Sequence, residues 1–224
     1  MKLVHSDVQY VINFEENSIN VIVIEDPTVF TQWIVEFLGQ ASGLDGKFVL
    51  SENSKEIKIS QAVEVITDPF GMQINSRKVL SKLYTEMESD ATDAEMLIKT
   101  RTIECTLINY IQELASMRSY PISYLLDVSL PALFKAMELK LDEDCDTLTE
   151  KLDTYIKIVH SMLGIRCLML VNFSTFLCDS DMKRLIESAF YNKVYLLLFE
   201  NRKPAYTIPG EKIYVLDKDH CEIY

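Results

Sequence analysis

The sequence predicts an α/β fold: a mainly parallel, doubly wound sheet of nucleotide-binding type, with an α-helical leg inserted into it. Three observations predict it. Short apolar runs alternate with amphipathic helical patterns at both ends of the 224-residue chain. Between them, residues 75–163 carry mostly helical periodicity. Glycine and proline number six each, too few for a turn-dense all-β fold or a linker-rich chain.

In chain order, residues 8–14 and 19–24 read as two strands joined by the polar turn Glu15-Glu16-Asn17-Ser18. The second is almost continuously apolar, as in a strand covered on both faces. Asp26 and Pro27 then supply an N-cap and a first helical position. Val29, Phe30, Trp33, Ile34, Phe37 and Leu38 follow at helical spacing, with Gly39 as the expected stop. Residues 47–50 and 57–59 read as a short hairpin. Residues 62–67 read as another buried strand, closed by Asp68, Pro69 and Gly71. Helical texture begins at Asn75. Val79, Leu80, Leu83, Tyr84 and Met87 form one stripe, and Ile103, Leu107, Ile111 and Leu114 a second. The second lies in the glycine- and proline-free run 93–118, enough for a helix of about 39 Å. Pro121 and Pro131 end or bend helices there. Leu148, Leu152, Tyr155, Ile156 and Val159 give the last helix of the insertion. Sheet texture returns with a strand over 166–173, a helix over 179–191, and strands over 194–199 and 212–216. The expected organisation is a discontinuous head, residues 1–74 and 164–224, and a helical leg, residues 75–163.

The net charge of −12 argues against attraction of the whole surface to nucleic acid or anionic lipid, and leaves room only for a local basic strip. No apolar run reaches the length of a membrane span. The first ten residues carry Lys2 and Asp7 and no signal-peptide pattern, so the chain is expected in the cytoplasm. The five cysteines are scattered, odd in number and without a CxxC pair, so neither a disulfide framework nor a zinc site is predicted. Cys167 lies in a strand pattern and reads as a small core residue.

Few stretches of the chain carry the pattern of a chemical motif. The segment Ala41-Ser42-Gly43-Leu44-Asp45-Gly46-Lys47-Phe48 has the spacing of a relaxed phosphate loop. Phe48 stands where a magnesium-binding hydroxyl is needed, and the context is helix-then-strand, the reverse of the working order. It reads as a glycine turn entering a strand. Leu168-Met169-Leu170-Val171 leads to Asn172, where a nucleotide hydrolase has a carboxylate for magnesium. His5, His160 and His220 have no partners at ligand spacing, and neither GxSxG nor HExxH occurs. The acidic run 142–146 offers hard-cation ligands. It also admits a simpler reading, in which Asp146 caps and charges the following helix. The basic residues of the leg stand out: Arg77, Lys78 and Lys82 on its first helix, Lys99 and Arg101 on its long one, then Lys135 and Lys140, with Lys151 further on. They read either as solvated helix faces or as phosphate contacts, which fix position without reading sequence.

Several stretches, in this order and spacing, resemble a known family. They are Val23-Ile24-Glu25-Asp26 with Phe30; Val65-Ile66-Thr67-Asp68-Pro69-Phe70-Gly71 with Ile74-Asn75-Ser76; Leu133-Phe134-Lys135 with Leu139-Lys140; Asp146-Thr147 with Glu150-Lys151; 168–172 with Phe176-Leu177; and 194–200. Across most of its length the chain resembles the short type II-A CRISPR-associated adaptation proteins, which form rings around DNA ends. The resemblance implies a degenerate P-loop-NTPase-like head with a helical leg. It implies a homotetrameric ring that binds double-stranded DNA ends without sequence preference, and no catalysis. It further implies spacer acquisition in bacterial antiviral defence, alongside the CRISPR integrase complex and the RNA-guided nuclease. Lys135, Lys140 and Lys151 fall on positions that are lysine in the family. Family members hold calcium on an acid-rich stretch before the Leu-Phe-Lys segment. Here residues 119–127 keep only Asp127, the one metal ligand the resemblance carries over. A ring multiplies inward lysines by the number of subunits. Acids outside it lie beyond a Debye length of about 8 Å from the DNA. The rival expectation is a non-catalytic ATPase-like scaffold whose leg binds protein partners. An active nucleotidase is opposed by both missing motifs.

Overall fold

A computed structural model of the chain describes residues 1–204 and 210–224. It divides into two compact units, Met1–Ile74 with Glu143–Tyr224, and Asn75–Asp142. The first begins with β1 (Lys2–His5), β2 (Ile12–Asn13), β3 (Ile19–Ile24), α1 (Pro27–Ala41), β4 (Phe48–Glu52), β5 (Lys55–Ile57), α2 (Ile59–Ala62) and β6 (Val63–Ile66). The second unit contributes α3 (Arg77–Ala91), α4 (Leu97–Ser116) and α5 (Leu130–Ala136). The first then resumes with α6 (Leu148–Leu163), β7 (Cys167–Val171), α7 (Asp179–Tyr191), β8 (Tyr195–Glu200), β9 (Glu211–Leu216) and β10 (Glu222–Ile223).

The head's main sheet has the order β10-β9-β3-β8-β7-β6. It is parallel from β9 to β6, with β10 antiparallel at the edge. Every residue of β3 and β7 is buried, as their continuous apolar runs require. One set of alternating side chains, including Ile22, Ile24, Met169, Leu197 and Phe199, joins Phe30, Trp33 and Phe37 of α1 in a single core cluster. Leu168, Leu170, Leu196 and Leu198 are buried as well, and the two-residue alternation turns them to the opposite face. In the same unit α6 packs on α7, and α7 on β8. Asp26 caps α1 through Oδ1, which accepts from the N–H groups of Thr28 (2.6 Å) and Val29 (3.3 Å). These bonds hold its pKa below the usual carboxylate value.

Several expectations need correction. Of the strand expected over 8–14, only β2 forms. The N–H groups of Gln9 and Tyr10 donate instead to the Glu222 carboxylate, at 3.0 and 3.2 Å, so no ladder is needed there. The expected hairpin is half of a separate antiparallel sheet, β2-β1-β4-β5. Helix α1 runs two residues beyond Gly39. Ser42 is its C-cap, and Gly43 at φ 95° takes the left-handed turn that ends it. The helix expected across 93–118 is regular only over Leu97–Ser116; in the turn before it Asp93 Oδ1 accepts from the N–H groups of Glu95 and Met96, and Asp93 O from Leu97 N–H. The boundary expected at 163/164 falls at 142/143. Helix α6 belongs with the sheet: Leu152, Tyr155, Ile156 and Val159 are buried, and Tyr155 Oη donates to Glu64 at 2.9 Å. Its cap is Thr147, not Asp146. The Thr147 hydroxyl accepts from Glu150 N–H, and the Glu150 carboxylate accepts from Thr147 N–H, a reciprocal capping box.

Candidate nucleic-acid interface

The helical unit is organised around the start of α3. Ser76 caps it, accepting from Val79 N–H at 3.4 Å. The preceding Asn75 holds residue 141 from both sides: its Nδ2 donates to Leu141 O at 2.9 Å and its Oδ1 accepts from Leu141 N–H at 2.8 Å. Tyr84 Oη donates to Leu139 O at 2.9 Å. After α5, Glu138 takes a left-handed conformation at φ 51°, and Leu139 N–H closes on Phe134 O at 3.0 Å. These bonds turn the chain back along α3, where α5 also packs, with the Tyr84 and Phe134 rings 6.1 Å apart. Lys140 is thereby fixed between two anchored residues at the end of α3 that carries Arg77 and Lys78. All three are exposed.

The charge order of α3 runs against its own dipole. Arg77 and Lys78 occupy its first turn, and no acid does. Glu86, Glu88 and Asp90 lie toward its other end. A helix start carries positive partial charge from its free N–H groups, and disfavours cations. Local helix energetics therefore do not account for Arg77 and Lys78. A bound anion would compensate both the cations and the free N–H groups. The unit is also close to neutral. Residues 75–142 hold eight Lys and Arg against ten Asp and Glu, a net of −2, which leaves −10 of the chain's −12 to the head.

The structure brings some of the expected basic residues together and separates others. Lys78 and Lys82 are four residues apart and share one face of α3. Lys82 lies 3.5 Å from Glu86. Lys135 sits in the last turn of α5, where a cation suits the helix end. Lys99 and Arg101 are both exposed on α4, but two residues apart they point to opposite sides. Arg101 is paired with Glu104 at 2.9 Å. Lys151 is on α6 of the other unit and half-buried. Asp127 is exposed in a segment without regular structure. Among the described residues no three His, Cys, Asp or Glu are grouped to hold a metal ion, so Asp127 has no assembled set of co-ligands. Asn75 was not legible as a positioning residue, although it lies within the Ile74-Asn75-Ser76 stretch of the resemblance.

The head offers no phosphate cradle in segment 41–48. Gln40 seals this turn, its Nε2 donating to Phe48 O and its Oε1 accepting from Phe48 N–H. Lys47 is paired with Asp7 at 2.6 Å. Parallel sheets bind ligands at the carboxyl ends of their strands. There Asn172, at φ 57°, accepts from Asn201 N–H through Oδ1, and the Glu200 carboxylate accepts from the N–H and hydroxyl of Ser174 at 3.0 and 2.6 Å. These groups satisfy one another. Burial raises the Glu200 pKa despite the Ser174 bonds. A cavity of about 380 Å³, lined by residues 15–18, Phe190 and 193–195, lies at the opposite, amino ends of β3 and β8. Burial pushes the Cys167 thiol pKa far up, as in an inert core residue.

Fold and site thus define a two-unit α/β protein with a basic-tipped helical insertion, whose sheet edge is occupied by its own side chains. A family model described as CRISPR-associated protein (Cas_Csn2) matches residues 40–220. The chain belongs to that family. It is similar to the CRISPR-associated protein Csn2 of Enterococcus faecalis, 23% identical over 203 residues that cover 88% of each chain. It is also similar to the Csn2 protein of Streptococcus agalactiae, 21% identical over 201 residues, 89% of this chain and 88% of that one. The family description names no reaction. Among the described residues no helix is long and apolar enough to cross a membrane.

Proposed function

We propose that this protein binds double-stranded DNA ends without sequence preference, as a homotetrameric ring that supports CRISPR spacer acquisition and catalyses no reaction itself. In this reading the head is a degenerate P-loop-NTPase-like, doubly wound platform in the cytoplasm. Its partners are the CRISPR integrase complex and the RNA-guided nuclease. The observation that carries the reading is the exposed basic end of α3. Arg77 and Lys78 oppose the helix dipole there, and Asn75 anchors the segment that carries Lys140 beside them. Phosphates relieve that conflict, and cations on helix ends and loops grip a backbone without reading bases. Lys82 and Lys135 extend the contact within the helical unit. Lys99, Arg101 and Lys151 would meet DNA only as placed by the ring. Calcium, if used, would take Asp127 with ligands from elsewhere in the assembly.

The test compares gel-shift affinities for a linear duplex and for the same duplex closed into a covalent circle. The linear form binds more tightly, and equal affinities would remove threading over ends. Lys135→Glu with Lys140→Glu weakens linear binding by about tenfold or more at physiological salt, with the oligomer intact. Unchanged affinity would take both residues out of the site. A second reading rests on the uncovered apolar face of α4, which suits a scaffold that docks protein partners. It predicts no preference for ends.

A further inference from the structure

Two exposed phenylalanines stand together at the carboxyl edge of the head's main sheet. β6 and β7 are adjacent and parallel, Ile66 opposite Leu170, so the turns that follow them leave on the same edge. Phe70 lies in the first turn and Phe176 just after the second, their rings 5.4 Å apart and edge-to-face. Phe176 meets the fully buried Phe173 in the same way at 6.3 Å. The three rings run from the core to the surface, with Phe176 43% and Phe70 68% exposed. The Phe70 turn is fixed. Asp68 Oδ1 accepts from Phe70 N–H at 2.9 Å. Pro69 before the ring and Met72 after it are buried. A Cβ at position 71 would collide with the Asp68 carboxylate, so Gly71 keeps the turn closed. Burying a phenylalanine is worth about 1.5–3 kcal/mol, yet here a fixed turn presents one to water.

The charges around the rings select the occupant. Asp68 shares the Phe70 turn, and Asp179 and Asp181 lie in the first turn of α7, just after Phe176. Elsewhere in the head Asp7, Glu15, Glu52 and Asp153 lie against Lys47, Lys212, Arg166 and Lys157. Among the described residues Asp68 and Asp179 are paired with no such cation. Arg202, in the turn after β8, acts on the buried Glu200 carboxylate instead. The head as a whole holds −10 of the chain's −12. Such a surface repels nucleic acid and draws a basic protein segment. An apolar centre with a charged rim is also the anatomy of a protein interface.

We propose that Phe70 and Phe176 are the apolar centre of a docking surface for a basic protein segment. The segment lays an aliphatic or aromatic side chain on the two rings, and its lysines or arginines against Asp68 and Asp179. The surface belongs to the head. It stands independently of the DNA reading, which is carried by Arg77, Lys78 and Lys140 of the helical unit.

The experiment uses the full chain as bait for a displayed library of random peptides, counter-selected on the Phe70→Ser chain. Enriched peptides carry lysine or arginine around an apolar residue, and their synthetic forms bind the parent less tightly as salt rises. Phe70→Ser and Phe176→Ser each weaken them by about tenfold or more, and Phe70→Leu keeps most of the affinity. Asp68→Asn with Asp179→Asn weakens them by about threefold. That pair leaves the Phe70 turn its side-chain acceptor, and so covers the case in which a ring variant misfolds. If no peptide tells the two baits apart, or those that do are acidic, the proposal is overturned. A lower sedimentation mass for Phe70→Ser would make the rings a contact between copies and overturn it too. So would a single-stranded oligonucleotide that displaces the peptides and itself needs Phe70, since the rings would then be a base-stacking platform. If the peptides bind as stated and the chain has no affinity for linear DNA, this surface stands and the DNA reading fails. The reverse result sinks this surface and leaves the DNA reading in place.

Discussion

The two units spend their apolar residues differently. In the head, β3, β7 and most of β8 are buried end to end, and α1 adds three buried aromatic side chains. In the helical unit only Val79, Thr100 and Leu130 are buried on the three helices. The head carries almost all of the net negative charge, and the insertion is nearly neutral, with cations at the wrong end of a helix. One unit is ordered by its own contacts. The other leaves apolar and basic surface uncovered, which is the composition of a partner-binding surface.

The comparison breaks most directly by cutting both units in the same way. Phe37 is completely buried and its ring lies 4.8 Å from Phe48. Phe37→Ala removes a core ring and leaves a cavity, at a cost of about 3–5 kcal/mol. The midpoint of chemical unfolding should fall accordingly. Ile103→Ala trims a half-exposed side chain and should leave the head's unfolding within about 1 kcal/mol of the parent. If Ile103→Ala unfolds the head as Phe37→Ala does, the division of labour is wrong.

A smaller effect, confined to the head, sharpens the contrast through pH. His5 packs its ring 4.2 Å from Trp33 and 4.5 Å from Phe48. Its Nδ1 accepts from Asp7 N–H at 3.3 Å, and its Nε2 lies 3.6 Å from the Glu36 carboxylate. Burial lowers its pKa from the ordinary 6.5, and Glu36 pulls the other way without cancelling the shift. The unfolded chain therefore takes up the proton first. The stability His5 contributes is complete above about 6.5 and is lost as pH falls from there toward the folded value. Thermal midpoints should decline between pH 7 and 5, and His5→Gln should flatten that decline. A slope unaffected by the substitution would assign it to the carboxylates.

How legible each unit was follows from where its order comes from. Strand β3 and helix α7 could be read directly, because continuous and 3.6-residue apolar patterns are local properties of the chain. The small sheet was not. β1 is four residues long and pairs with the distant β4, Lys2 opposite Ser51, while the backbone of Gln9 and Tyr10 after it is held by Glu222, more than 200 residues away. Helix α6 was legible as a helix but not as part of the head, since its place depends on Tyr155 reaching Glu64 across 91 positions. The basic residues were visible as residue types. Their grouping was not, because Lys140 comes to the start of α3 through the side chains of Asn75 and Tyr84, which hold the residues on either side of it. Lys99 and Arg101 look like neighbours in sequence, and helical geometry parts them.

The smallest effect on stability separates fold from function at the start of α3. Replacing Arg77 and Lys78 by glutamate puts acids where the helix dipole favours them. The gain is about 0.3–1 kcal/mol per site at low salt, fading as salt rises. If these cations are kept for a partner, the double variant should melt slightly higher while binding linear DNA more weakly. Its log–log dependence of affinity on salt should be shallower by about 0.9 for each phosphate that is no longer neutralised. Structural and functional roles give opposite signs. A residue that serves only the fold lowers the melting point when reversed. A solvated bystander changes neither quantity. A drop in melting temperature together with unchanged DNA affinity would move the interface away from α3, and with it the role assigned to the Asn75 anchor.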